Sequence, residues 1–183
     1  EALHTDYVDV PTFYYVEHED EWNTIIGPGG ALEYCRAAQA DGTIRRIGLT
    51  SHQRPLAARM AASGLLDVLM IRYNAAHRGA ETDIFPVTDA RQMPVIAYTA
   101  LRWRALLRPT PDDPPGFEVP RAGSWYRFAL ASESGAVVLA AAHDRAQLEQ
   151  NLAVLDSVPL SSAEYQRLAE HGLRVRRHAG GFP

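Results

Sequence analysis

Two histidines, His52 and His77, each stand a few residues beyond a short apolar run, and Asp144 stands in the same relation to another. Imidazoles and a carboxylate so placed could hold a divalent metal that activates water, as in a metal-dependent hydrolase. No His-x-His pair or tight ligand spacing supports this, and the stronger reading makes both histidines loop residues or walls of a substrate pocket. The run Glu17-His18-Glu19-Asp20-Glu21 is rich in ligand types, but adjacent acidic residues read as a solvated loop, and no metal is assigned to the chain. Trp22, Trp103 and Trp125 could wall an apolar pocket, with ordinary packing as the default. One chemistry is closed to these residues. The chain has no lysine, all 18 basic residues being arginine, so neither a Schiff base nor an ammonium partner for a proton donor can come from it. The single Cys35 excludes an internal disulfide, reads as a small buried side chain, and makes the cytoplasm the expected compartment.

The elements that must position these residues repeat one phrase: an apolar strand, a turn, then an amphipathic helix. Strands are expected at Tyr7–Tyr14, Arg45–Leu49, Leu66–Tyr73, Pro94–Tyr98 and Ala136–Ala142. Helical patterns lie between them: from Ala31 to a stop at Asp41-Gly42, from Pro55 to about Gly64, over roughly Glu81–Arg91, and over about Ser124–Ser132. Another is capped by Asp144, with Leu148, Leu152 and Leu155 on one face, and the last opens with the capping box Ser161-Ser162-Ala163-Glu164. Alternating strand and helix implies α/β architecture with a parallel sheet buried on both faces. The expected fold is a partial (β/α)8 TIM barrel, about five parallel strands with flanking helices, in a single domain spanning 1–183. In such barrels chemistry sits where strands end. The proline-rich stretch Leu107–Ala122 is long for a loop and reads as functional or mobile.

At 183 residues and 46% hydrophobic content the chain can bury a real core, but a complete eight-fold barrel typically needs about 250 residues. The net charge of −4 is made of interspersed signs, so neither nucleic acid nor an anionic membrane is an expected partner. No apolar run approaches the roughly 20 residues that span a bilayer. The chain opens at Glu1 rather than Met, in what reads as the approach to a strand, and a fragment is the expectation.

Five segments carry a resemblance. Tyr-Val-Asp-Val (7–10), Arg-Arg-Ile-Gly-Leu-Thr-Ser-His (45–52), Arg-Tyr-Asn (72–74), Val-Ile-Ala-Tyr-Thr-Ala-Leu-Arg-Trp (95–103) and Gln-Leu-Glu-Gln-Asn-Leu (147–152) fall at strand ends and helix starts. In order and spacing the chain resembles the aldo-keto reductases, from the fourth strand of that barrel to the eighth. The resemblance implies hydride transfer from NADP(H) or NAD(H) to a small-molecule carbonyl, an aldehyde or ketone. It also implies that the aspartate, tyrosine and lysine that work the proton lie on three earlier strands, a missing N-terminal part of the barrel. Five strands alone cannot close a barrel and leave two open edges, so the isolated chain is expected to be inactive.

Carried over residue by residue, the resemblance places Tyr14 where the family's fourth strand ends in histidine, to assist at the carbonyl, with His18 as a fallback. Thr50 and Ser51 take the place of a Ser-Asn pair that holds the nicotinamide amide, while Met70 replaces a glutamine and cannot supply its hydrogen bonds. Tyr98 matches the tyrosine that stacks on the nicotinamide, and Asn74, Thr99 and Leu101 are further cofactor-binding positions. At the phosphate end Arg102 and Arg104 stand where the family has glycines, Ala141 and Ala142 replace a lysine and a serine, and Gln147 replaces an arginine. Asn151 is kept, and Arg145 is a substitute cation. Each lost charged contact removes about 1.5–3 kcal/mol of phosphate binding, which leaves the choice between NADPH and NADH weakly specified. His52, His77 and Trp103 are the expected substrate pocket. Two other functions stay open: nucleotide or partner binding without turnover, and the metal-dependent hydrolase.

Overall fold

The computed structural model describes residues 4–131 and 137–178. It contains five parallel strands, ordered as in the chain: β1 (Thr12–Phe13), β2 (Gly48–Thr50), β3 (Val68–Arg72), β4 (Val95–Tyr98) and β5 (Val137–Val138). Eight helices accompany them: α1 (Glu19–Ile26), α2 (Ala31–Ala40), α3 (Arg54–Ala62), α4 (Ala80–Asp83), α5 (Phe85–Ala90), α6 (Ala122–Leu130), α7 (Arg145–Leu152) and α8 (Ser162–His178). The expected α/β class is the observed one. Two compact units are distinguishable, residues 1–71 with 81–95, and residues 72–80 with 96–183.

In the first unit, β1 pairs with β2 through Thr12–Gly48 and Phe13–Leu49, and β2 with β3 through Gly48–Val68, Leu49–Leu69 and Thr50–Met70. Gly48 is required at this crossing. A Cβ there would meet Thr12 Cγ2 at 2.9 Å, closer than real contacts allow, and crowd Val10 Cγ1 at 3.1 Å. Asp67 closes the start of β2, its Oδ2 accepting from the Ile47 N–H at 2.8 Å and Gln39 Nε2 at 2.9 Å. Ile47, Leu49, Leu69 and Ile71 are fully buried with Ala57 and Met60 of α3, the two-sided burial that apolar parallel strands predict.

Three local expectations change in this unit. The strand expected over Tyr7–Tyr14 is regular only at Thr12–Phe13, with an isolated bridge from Val8 to Ile44, because Pro11 has no N–H to give the ladder. The acidic run expected as a loop begins α1 instead. Glu21 Oε2 accepts from the Glu17 and His18 N–H groups at 2.7 and 3.0 Å, and Glu19, Asp20 and Glu21 occupy the electropositive first turn. The single helix expected over Glu81–Arg91 is two short ones, parted at Ile84 ahead of Pro86.

In the second unit β4 pairs with β5 through Ile96–Val137 and Ala97–Val138. The strand expected to Ala142 ends at Val138, and its first residue, Ala136, lies outside the described residues, as does Ser132 at the end of the expected α6. Trp125, Phe128, Tyr73, Leu106 and His171 form the core. Helix α8 begins with the expected box, Glu164 Oε2 accepting from Ser161 N–H at 2.8 Å and Oγ at 2.7 Å. It packs so closely on the loop after β3 that a Cβ on Gly172 would collide with the Ala75 carbonyl. The proline-rich loop is tied down by α8. Asp113 Oδ1 accepts from Arg174 Nε at 2.7 Å and pairs with His171 Nδ1 at 3.0 Å, while Asp112 accepts from Arg177. The face of α7 expected from Leu148, Leu152 and Leu155 is exposed, and these residues line an apolar groove of about 530 Å³ with Val137 and Leu139.

Candidate functional site

Each unit places its own group of residues at strand ends. In the first, Thr50 ends β2 almost fully buried, and its Oγ1 accepts from the Tyr15 N–H at 2.7 Å while its carbonyl accepts from Val16 N–H at 2.9 Å. Tyr15 has φ 61°, a conformation disfavoured for an aromatic residue, and this bond helps hold it there. Ser51, also buried, opens the turn into α3 by accepting from Gln53 N–H at 3.1 Å. Both hydroxyls therefore act as acceptors within the chain and keep an O–H to donate. His52 donates its backbone N–H to Glu17 Oε1 at 2.7 Å, and its Nδ1 lies 3.4 Å from the same oxygen.

Tyr14 stands 82% exposed. The residue that packs edge-on against His52, with ring centroids 4.8 Å apart, is Tyr15. Sequence reading missed Tyr15 and Glu17 as partners of His52. The acidic run hid Glu17, and no spacing rule reveals a tyrosine turned by a positive φ.

In the second unit Asn74 is fully buried, with a hydrogen bond at each end of its amide. Its Nδ2 donates to the Thr99 carbonyl at 2.9 Å, and its Oδ1 accepts from Ala76 N–H at 3.0 Å. Asn74, an expected cofactor contact, ties the loop after β3 to the loop after β4 through these bonds. Thr99 needs that tie, because it has φ 57°. Its Oγ1 donates to the Tyr98 carbonyl at 2.7 Å, and that carbonyl also receives the Tyr73 N–H at 3.4 Å. Tyr98 is half-buried at the end of β4. His77 closes the loop after β3, its N–H donating to the Asn74 carbonyl at 2.8 Å.

Three consecutive non-glycine residues then follow in the left-handed region: Arg102 at φ 47°, Trp103 at 49° and Arg104 at 70°. Each costs on the order of 1–3 kcal/mol where glycine would cost little. The loop is pinned by Arg102 N–H to the Thr99 carbonyl at 2.8 Å and Ala105 N–H to the Arg102 carbonyl at 2.9 Å. Backbone strain maintained by this many bonds marks a shaped loop.

That loop walls a cavity of about 580 Å³, lined by Thr99, Leu101, Trp103, Arg104, Gln147 and Asn151 among others, within the range of small-molecule sites. Gln147 is partly committed to capping α7. Its N–H donates to Asp144 Oδ1 at 2.8 Å and its Oε1 accepts from His143 N–H at 3.2 Å. Asp144 thus already holds one of the helix-start amides an anion would use. The Asn151 side-chain amide makes no hydrogen bond among the described residues. Two expected cations are not among the cavity's lining residues. Arg145 is 90% exposed and pairs with Glu149 at 2.7 Å, while Arg102 is buried. Arg104 supplies the positive charge instead. Among the described residues no group of three His, Cys, Asp or Glu could hold a metal ion.

No protein-family model matches the sequence, and no curated protein matches it. Solved structures do. An aldo-keto reductase of Bacillus halodurans in its holo form superposes with a TM-score of 0.72 at 19% identity, over 92% of this chain and 60% of its own. One from Klebsiella pneumoniae, in complex with NADP and acetate, gives 0.66 at 24% identity over 93% and 61%. A thermostable aldo-keto reductase bound to the inhibitor epalrestat gives 0.61 at 20% identity over 92% and 61%. The chain has an aldo-keto reductase fold. It spans about 60% of the length of the aldo-keto reductases it matches, and the fold by itself sets no chemistry. No helix among the described residues is long and apolar enough to cross a membrane.

Proposed function

We propose that this chain forms the cofactor-binding part of a nicotinamide-dependent reductase acting on small aldehydes or ketones, with NADP(H) or NAD(H) as cofactor. The observation that carries the reading is the strained loop after β4, held by Asn74 and walling a cavity of nucleotide scale with Arg104 and the uncommitted Asn151 amide. The dinucleotide, when bound, would supply the hydride. Asn151 would meet the adenosine end by its amide, and Arg104 would offset phosphate charge. Tyr98 would offer its ring face to the nicotinamide. Thr50 and Ser51 would each donate the O–H they retain to the amide oxygen, and Tyr14 would donate its phenol proton in a hydrogen bond to the carbonyl. The proton donor and its partners would come from further strand–helix units, which would also cover the apolar groove beside β5 and α7.

NADPH and NADH titrated into the protein, followed by nicotinamide fluorescence, should show saturable binding that Asn151→Ala weakens about tenfold. A longer polypeptide bearing the additional units should then oxidise NADPH in the presence of aldehydes. Absence of binding at millimolar concentrations of both nucleotides would overturn the proposal. A second reading, nucleotide binding without turnover, draws on Met70, the exposed Tyr14 and the capping of α7 by Asp144. Binding without oxidation of NADPH by the longer polypeptide would select it.

A further inference from the structure

The cavity walled by the strained loop after β4 is poor in positive charge for its size. Among its described lining residues Arg104 alone carries a permanent charge, and apart from His143 the others are apolar or neutral, such as Leu101, Leu139, Gln147 and Asn151. A cavity of about 580 Å³ therefore offers one guanidinium to whatever anion enters it.

Helix α7 and the turn before it supply His143, Gln147, Gln150 and Asn151 to the lining, and the charges they carry beside those residues are mostly negative. Asp144 follows His143 directly and is exposed. Its Oδ1 accepts from the Gln147 N–H at 2.8 Å, so a carboxylate is fixed one hydrogen bond from a lining residue. The one arginine of α7 does not offset it. Arg145 Nε donates to Glu149 Oε1 at 2.7 Å, an internal pair that neutralises Arg145 and leaves Asp144 as the uncompensated charge of this helix start.

NAD(H) and NADP(H) share a diphosphate and differ by one phosphate monoester on the adenosine ribose, which adds about −1.5 to −2 charge near neutral pH. Such a group is held by charge-assisted donors, arginine above all. In the nucleotide reading the adenosine end meets Asn151, on the helix whose first turn carries Asp144. That side offers the extra phosphate neutral amides and a carboxylate, while Arg104 can serve only the charge common to both cofactors. We propose that this cavity takes NAD(H) in preference to NADP(H), with Asp144 as the specificity-determining residue and Glu149 acting with it by keeping Arg145 engaged. The inference rests on the nucleotide reading of the cavity. The discrimination is electrostatic and acts through water, so it weakens as salt is added.

The test is fluorescence titration of NADH and of NADPH into the protein at about 20 mM and about 500 mM ionic strength. NADH is expected to bind about fivefold more tightly than NADPH at the lower ionic strength, with the ratio falling towards one at the higher. Asp144→Asn keeps an N-cap acceptor and so preserves the helix start; it should tighten NADPH about threefold and leave NADH nearly unchanged. Glu149→Gln should act in the same sense by releasing Arg145, whereas Arg104→Ala should weaken both nucleotides alike. NADPH binding as tightly as NADH, or more tightly, would overturn the preference and leave the nucleotide reading standing. A preference unmoved by salt and by both substitutions on the α7 side would also overturn it, as would a loss confined to NADPH in Arg104→Ala, which would place the extra phosphate at Arg104. Failure of both nucleotides to bind would overturn the nucleotide reading and this inference with it.

Discussion

Arg174 and Arg102 are both largely withdrawn from water in the same unit, yet they meet opposite fates. Arg174 donates to Asp113, which also pairs with His171 and accepts from the Thr110 N–H at 2.5 Å. The rings of Phe117 and Trp125 stack on His171 at 5.0 and 5.5 Å. Arg102 has a buried donor, Nη1, with no hydrogen-bond partner among the described residues. The difference separates a charge that fastens the fold from one with a donor that the described residues leave unmatched. Burial raises the Asp113 carboxyl pKa, but the Thr110 amide, Arg174 and His171 outweigh it and hold the group at about 2, against 3.8 unperturbed.

The comparison breaks most visibly at Asp113. Asp113→Ala strands Arg174, His171 and the Thr110 amide together, and should cost about 3–5 kcal/mol in urea unfolding, whereas Arg102→Met should be neutral or stabilising by about 1 kcal/mol, since it removes an uncompensated buried charge. Equal losses in the two variants would erase the distinction.

Acid should act on the paired side in the same sense. The folded carboxyl binds its proton less readily than the unfolded one. The stabilisation from Asp113 is therefore complete above about pH 4 and is lost as pH falls towards 2, amounting to about 2 kcal/mol. Unfolding midpoints followed from pH 5 to pH 2 should drop less steeply in Asp113→Asn than in the wild type.

Strain sharpens the other side. Arg104→Gly relieves a left-handed conformation and should raise stability by about 1 kcal/mol in thermal unfolding. It should also weaken nucleotide binding by removing the cavity's cation. The smallest effect belongs to a pair that is neither buried nor isolated. Arg145→Ala breaks an exposed bridge to Glu149 and should change stability by less than about 0.5 kcal/mol.

Much of this was legible in the chain itself. The five strand–helix phrases are present in order, and Asp144, Pro55 and the Ser161–Glu164 box begin helices where local chemistry predicts. Strands are shorter than their apolar runs because hydropathy marks burial, which continues past the last ladder hydrogen bond. Thr99, Leu101, Trp103, Gln147 and Asn151 do line one cavity. Arg102 and Arg145 are not among its lining residues for reasons that type and spacing do not carry. A positive φ redirects the first, and the second turns outward to a glutamate one helical turn away.

The sequence by itself determined the alternation of elements, the helix caps and the absence of a lysine amine, because each rests on local backbone geometry or on composition. The tertiary structure decided which charges are paired. Asp113 and His171 stand 58 positions apart, and no periodicity connects a proline-rich loop to the far end of a helix. Whether an arginine is a fastening or an unmatched donor depends on which groups the folded chain brings within a few ångströms of it, where Coulomb attraction in a poorly solvated interior outweighs anything local.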